Sequence, residues 1–321
     1  MPKIKISILL FISVLIIVFS VFLGPRFINP FELNSTEKDI LLSIRLPRVI
    51  VAALMGMALG ASGAVLQGIL RNPLADPYIL GISSGAALSA ALGLVSGMYL
   101  LGKFSIPLAA FIGASIVSTV VGVFGWKRGR LWSERLLLAG VGLSFLLNAI
   151  LMFLISISSD AGMRRAILWI FGDLSIADWS LIPWGLVFIT AGLYLSISRT
   201  KALNALMLGD EIAHSLGFSI RSERLFLFIS IALMTAASVS LGGTIGFIGL
   251  LIPHIVRFFT GADNRRLIPA SAISGGAFLC LADLIGKSIM PPMEIPSGII
   301  TAIIGSPYFL YLLRRKDVIG I

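Results

Sequence analysis

The side chains able to do chemistry in this chain are sparse, and their spacing excludes more than it supports. Two histidines, His214 and His254, and one cysteine, Cys280, stand far apart with no further Cys or His near them. A zinc site needs such ligands in closely spaced pairs, and a disulfide needs a second cysteine. No metal site and no cofactor is therefore expected. Residues 97–103 read GMYLLGK, which begins like a phosphate-binding loop. Phe104, however, stands where Ser or Thr would hold magnesium, and the run before it is an apolar helix where a strand is required. Nucleotide binding is not expected, so any energy from nucleotide hydrolysis has to come from a partner. Asp283 is the main ionisable residue inside an apolar stretch, and Asp76 lies at the edge of another. Lys287 follows Asp283 by one helical turn, so a local ion pair near a membrane interface is expected in preference to a proton relay. No cluster of Asp, His or Ser fits a lipid-modifying enzyme, and no catalytic residue is assigned.

The elements that would position these residues are apolar helices. Of 321 residues, 57% are hydrophobic and 12% charged, with a mean hydropathy of +1.02. A soluble globule is excluded. Apolar stretches of near-spanning length cover residues 6–23, 49–70, 74–95, 106–124, 136–157, 181–197, 225–241, 244–259, 267–285 and 295–313, each close to the ~20 residues that cross a bilayer. The first follows Lys3 and Lys5 but is long for a signal peptide and lacks a small-residue cleavage site, so a retained helix is expected. Alternating the ten spans places most of the 25 Lys and Arg residues on the side of both termini, among them Arg71, Lys127, Arg128, Arg130, Arg199, Lys201, Arg315 and Lys316. That side is expected to be cytoplasmic. The net charge of +10 then reflects topology and not nucleic-acid binding, because the basic residues sit in short clusters between apolar runs. Glycine pairs four apart, at Gly56/Gly60, Gly81/Gly85, Gly93/Gly97 and Gly242/Gly246, predict close helix packing, and Pro253 predicts a kinked or partial helix.

The longest polar stretch on the inner side, residues 199–224, reads RTKALNALMLGDEIAHSLGFSIRSER. Leu203, Leu206 and Met207 have helical spacing, Gly209 interrupts, and Asp210 and Glu211 open a second short helix carrying Ile212 and Leu216. A simple connection is much shorter, so this knob is expected to dock a cytoplasmic protein. On the outer side Arg45 and Arg48 in RLPR, with Lys287, offer positive charge where topology disfavours it. They are candidates for capturing acidic groups of an external partner, the alternatives being contact with lipid phosphate or with one another's acidic neighbours.

These blocks also resemble a known family. RLPRVIVAALMGMALGASGAVLQGILRNPLADPYILGISSGA (45–86), LLLAGVGL (136–143), LGDEIAHSLG (208–217), GFIGLLIPHIVRF (246–258) and LADLIGKSIMPPMEIPSGIITAIIGSPYFLYLLRR (281–315) are similar to the signature regions of permease subunits of type II ABC importers. These are the FecCD/BtuC-like permeases for iron–siderophore complexes, haem and cobalamin. The resemblance implies an all-α polytopic membrane protein, a single transmembrane permease domain over residues 1–321 with about ten helices and coupling helices at about 201–217. It implies a homodimer with the path at its interface, two cytoplasmic ABC ATPase subunits, an external substrate-binding protein, a plasma-membrane location with both termini cytoplasmic, and alternating access. By the same resemblance Leu208, Gly209, Asp210, Glu211, His214 and Gly217 couple to the ATPase, with His214 where relatives often have Arg. Arg45, Arg48 and Lys287 meet the binding protein, and Asn72, Leu74 and Ser133 form the cytoplasmic gate. An iron(III)–siderophore is the expected cargo, with haem, cobalamin or oxyanion complexes as alternatives. A different class, an ion-coupled secondary carrier, would need Asp283 as its coupling site.

Overall fold

The computed structural model describes residues 2–29, 31–97, 101–127 and 130–314. Arg128, Arg315 and Lys316, placed above on the more basic side, lie outside the described residues, as do the side chains of Lys3, Lys5 and Arg130. The described chain is almost wholly helical. In order it forms α1 (Pro2–Phe22), α2 (Ser35–Ile40), α3 (Leu46–Leu70), α4 (Ile82–Ser96) and α5 (Ser105–Gly125). A two-stranded ribbon follows, β1 (Trp126–Lys127) against β2 (Arg130–Leu131), then α6 (Ser133–Ser156), α7 (Asp160–Ile170), α8 (Leu181–Ser198), α9 (Thr200–Leu208) and α10 (Asp210–Ser215). The last helices are α11 (Ile220–Gly242), α12 (Ile248–Thr260), α13 (Asn264–Ser288) and α14 (Ser297–Arg314). Each of the ten expected spans contains a helix, although those at 74–95 and 244–259 become α-helical only from Ile82 and Ile248. Six are long and apolar enough to cross a membrane, and α1, α4, α12 and α14 supply shorter apolar stretches. The amphipathic α7, unforeseen in the sequence, buries Gly162, Ala166 and Trp169 and leaves Arg164 and Arg165 exposed.

Helix α3 is the centre of the bundle, packed on α13, α11, α12 and α8. Lipid gives no hydrophobic drive for helix association, so contact has to come from close backbone approach. Here glycines make it possible. A Cβ on Gly56 would overlap the Gly275 carbonyl of α13, one on Gly60 the Ser271 carbonyl, and one on Gly63 the Gly249 carbonyl of α12. Gly85 packs in the same way on Val117 and Gly113 of α5. The pairing rule fails at Gly97 and Gly246, which face open space.

The break expected from Pro253 lies ahead of it. Pro253 is inside α12, and the chain is unwound over residues 243–247, where Gly243 (φ +81°) and Phe247 (φ +69°) are left-handed. Exposed irregular backbone is not tolerated at membrane depth, and this segment is enclosed by protein. Tyr78 Oη accepts from the Ile245 N–H at 3.0 Å, Thr244 Oγ1 donates to the Ile170 carbonyl, and Gly298 N–H donates to the Phe171 carbonyl.

The first turn of α3 and the last turns of α13 are joined by charge. Asp283 is buried and takes a bidentate bond from Arg48, at 3.0 Å to Nε and 2.9 Å to Nη2, and Ser297 Oγ donates to it at 3.0 Å. Lys287 Nζ stands 3.8 Å away, and Arg48 Nη1 reaches the exposed Glu294 at 2.8 Å. The expected Asp283–Lys287 pair exists, but it is the weaker half of a cluster that spans three segments. The end of α1 also lies here, because Arg45 Nη1 donates to the Phe22 carbonyl at 2.8 Å, and α14 begins here at Ser297. Both described termini therefore lie on the opposite side, with α9 and α10.

Two predictions follow from this packing. Gly60→Val is expected to destabilise the detergent-solubilised protein by about 1–3 kcal/mol or more through forced separation of α3 and α13. Gly142→Val, which meets nothing within 4 Å, is expected to leave thermal unfolding almost unchanged. Asp283→Ala leaves the buried Lys287 without its carboxylate and removes the bidentate partner of Arg48, and should lower stability by about 3–5 kcal/mol, against less than about 1 kcal/mol for Glu294→Ala at the exposed rim. Equal shifts for the two carboxylates would refute the central role of Asp283.

Candidate functional site

The expected knob forms as two short helices meeting at Gly209, whose backbone (φ +141°) is one an L side chain rarely adopts. The first helix, α9, is set against the bundle by Leu203 and Leu206, both buried. Leu203 fills the notch left by Gly68 on α3, where a Cβ would come within 2.9 Å of it. The second, α10, points its apolar side away from the protein. Leu208, Ile212 and Leu216 are 68%, 45% and 60% exposed, at one-turn spacing, with Glu211 and His214 exposed beside them. Gly217 ends the knob in a left-handed turn, its N–H bonded to the His214 carbonyl. A cavity of about 550 Å³ lies against this surface, lined by Asp210, Glu211, His214, Gly217, Phe218 and Arg221. Exposed aliphatics ringed by charge are the composition of a protein-docking surface.

Asp210 connects the knob to the membrane helices. Its Oδ1 receives Arg71 Nη2 and Arg224 Nη2, each at 2.8 Å, and Arg71 Nε also donates to the Leu206 carbonyl at 2.9 Å. Arg71 caps α3 in a left-handed conformation (φ +50°) and Arg224 lies in the first turns of α11. A second link runs from α9 to α13. Asn204 Nδ2 donates to Asp263 at 2.7 Å, and the Asn204 Oδ1 accepts from Asn264 Nδ2 at 2.7 Å. The bond from Asn204, with the Arg265 N–H, holds the Asp263 carboxyl below the usual range, so it is an ionised acceptor at neutral pH. The knob is thus bonded to α3, α11 and α13 together.

Asn72 and Leu74, expected from the resemblance to form a gate, lie in the turn directly after Arg71. Asn72 Oδ1 accepts from the Leu74 N–H at 2.9 Å, making an Asx turn, and Leu74 is half-buried. Ser133 opens α6 and makes no hydrogen bond to either residue among the described ones. The knob and the Asn72–Leu74 turn are brought together, through Arg71, whereas Ser133 is not joined to them by any such bond.

At the far end Arg48 and Lys287 share Asp283, while Arg45 spends its guanidinium on the Phe22 and Arg26 carbonyls at 2.8 and 2.6 Å. Arg48 and Lys287 therefore meet acidic neighbours, the alternative left open by the sequence. Asp283 and Glu294 offset the charge that was to steer an acidic partner, because the fold folds a distant carboxylate and a loop carboxylate back onto α3. A cavity of about 240 Å³ opens beside them, lined by Arg48, Asp173, Ser175, Glu294 and Ser297.

Sequence reasoning missed Gln67. Buried in α3, its amide nitrogen donates to the carbonyls of Ala75, Gly249 and Leu250 at 3.2–3.4 Å, and its oxygen accepts from Arg257 at 3.3 Å. It ties the gate turn to the start of the broken helix α12. The signal was present, as a lone amide in an apolar run whose hydrogen bonds had to go somewhere.

Comparisons with known proteins agree with this geometry. The model of the FecCD transport family matches residues 8–315. The chain is 39% identical over 324 residues to the hemin transport system permease protein HmuU of Yersinia pestis, covering 98% of this chain and 96% of that one. It is 41% identical over 289 residues to the cobalamin import system permease protein BtuC of Halobacterium salinarum, covering 90% and 77%. With the Fe(3+)-citrate import system permease protein YfmE of Bacillus subtilis it shares 36% identity over 328 residues, covering 98% and 95%. Among solved structures, an inward-facing metal-chelate type ABC transporter superposes with a TM-score of 0.86 at 30% identity, over 98% of this chain and 99% of that one. With its buried α3, enclosed break before α12 and knob at Gly209, the chain belongs to the FecCD transport family of ABC-importer permeases.

Proposed function

We propose that this permease carries an iron(III)–siderophore or a closely related metal chelate inward by alternating access. In this reading the chain pairs with a second copy, two cytoplasmic ATPases dock on the knobs, and an external binding protein delivers cargo at the opposite end. The knob side and both termini are then cytoplasmic, and the chain itself hydrolyses nothing. The single observation that carries the mechanism is the double engagement of Asp210 by Arg71 and Arg224. Through it a push on α10 reaches the helix that ends in the Asn72–Leu74 turn. Closing of the ATPases would move Leu208, Ile212 and Leu216, and α3, α11 and α13 would follow as one body.

The homodimer is supported by α6. Leu138, Phe145 and Met152 form an exposed stripe two turns apart, 74%, 74% and 63% exposed, on a helix whose apolar stretch is only 11% buried in the single chain. A path between two such helices, closed by the half-buried Leu74 with Asn72, would exclude water at its narrow point. Ser133 at the foot of α6 would then face that path. Docking of the binding protein at Arg45, Arg48 and Lys287 is supported by their shared end of the bundle, opposite the knob. Because Arg48 and Lys287 are held by Asp283, the acidic groups of the partner would have to compete with it. Cargo is drawn from the hemin, citrate-iron and cobalamin permeases that the chain resembles.

The reading is tested in proteoliposomes containing permease, ATPase and binding protein. Asp210→Ala is expected to reduce ATP-driven chelate uptake by roughly 5- to 150-fold, the size of a typical intersite coupling, while ATPase turnover is lost far less. Uptake should persist when the proton gradient is collapsed and stop when ATP is exhausted. Unchanged uptake in the variant would remove the coupling role of the knob, and uptake that follows the proton gradient would favour an ion-coupled carrier.

A further inference from the structure

We propose that the groove between α5 and α11 is a binding site for one anionic phospholipid of the knob-side leaflet. The groove is lined on α5 by Ser115, Ser118, Thr119, Gly122 and Val123, by Trp126 of β1 just after it, and on α11 by residues from Leu225 to Leu233, and it encloses about 400 Å³. At the other end of α5, Phe111 packs on Trp184 and Phe188 of α8, with ring centroids 5.4 and 4.7 Å apart. Phe228 lies over Gly122, and the small side chain of Ala232 lines the remaining space. The hydroxyls of Ser118 and Thr119 are satisfied within their own helix, donating to the Ala114 and Ser115 carbonyls at 2.8 Å. Their groove wall is therefore apolar in effect.

Length and charge identify the occupant. From Ser115 to Trp126 a helix rises about 16 Å, close to half of the ~30 Å hydrocarbon core, so the groove has the depth of a single leaflet. Its mouth is basic and aromatic. The Arg221 guanidinium lies over the Trp126 ring, 5.5 Å from its centroid, and Lys127 is exposed next to Trp126. Neither cation is in an ion pair among the described residues, and Glu223 on the same stretch of α11 is taken by Arg199 at 2.8 Å. An acyl chain in the groove would bring its phosphate to Arg221 and Lys127, at the interface level where Trp and basic side chains hold headgroups. Arg221 also lines the cavity beside the knob, so the lipid would brace the base of α11 where Arg224 meets Asp210.

The test uses the full-length permease without its partners, and so does not depend on the coupling reading. Native mass spectrometry after reconstitution in mixed phosphatidylglycerol and phosphatidylcholine would count retained lipids. Selective retention of phosphatidylglycerol is expected, falling about fivefold for each of Arg221→Ala and Lys127→Ala. Ala232→Phe, which fills the groove from the α11 side, should abolish retention of both lipids, and Ala232→Ser should restore it. Equal retention of both lipids in the unmodified protein, or retention unaffected by Ala232→Phe, would overturn the proposal. So would a change of oligomeric state in Ala232→Phe, which would mark the groove as a contact between copies.

Discussion

Close contact between bare backbones is the condition on which this architecture rests. Inside lipid, apolar side chains gain nothing by leaving the solvent for one another, so helices hold together through dispersion and short approach. Helix α3 meets that condition on several sides, with Gly56 and Gly60 against α13, Gly63 against α12 and Gly68 over Leu203 of α9. Because it is enclosed along its length, it is a stiff rod whose two ends are the ends of the bundle. Arg48 is fixed at one end and Arg71 at the other. The candidate docking patch, gate turn and coupling knob are all attached to this rod.

The irregular parts of the structure are placed where that rod and its neighbours can satisfy them. Residues 243–247 leave backbone groups without helical partners at membrane depth; Tyr78 takes up the Ile245 N–H, and the Thr244 hydroxyl bonds the segment to the Ile170 carbonyl. Gln67 does the same for the carbonyls at the beginning of α12. These bonds join segments that a simple bundle would leave independent, so the gate turn, α12 and the loop after α7 share one polar network. A polar group with few alternatives in lipid is a stronger constraint than the same group in water.

The two ends of the rod handle charge in opposite ways. At the outer end Asp283 is buried under Arg48 and Lys287, and the cluster fixes geometry at the expense of exposed positive charge. At the knob end Asp210, Arg71 and Arg224 are partly exposed and close to an apolar surface that remains open. The first arrangement locks helices together, and the second joins the knob to α3 and α11 beside a surface left open.

Hydropathy alone located ten apolar helices, six of them long enough to cross a membrane, since apolar length and polarity are imposed by the bilayer and depend on no contact. The knob was legible for a similar local reason, as Gly209 flanked by Leu208 and Asp210 can only be a break between two short helices. The partners of the charges were not legible. Asp283 looked like half of a one-turn pair with Lys287, and its main partner, Arg48, lies 235 positions away. Likewise nothing in the run around Gln67 named Gly249 or Arg257 as its partners, and nothing distinguished Gly60, which meets a carbonyl, from Gly246, which meets nothing. Such facts depend on which helices become neighbours, and that is decided by packing of the whole bundle because hydrogen bonds and close contacts act over only a few ångströms.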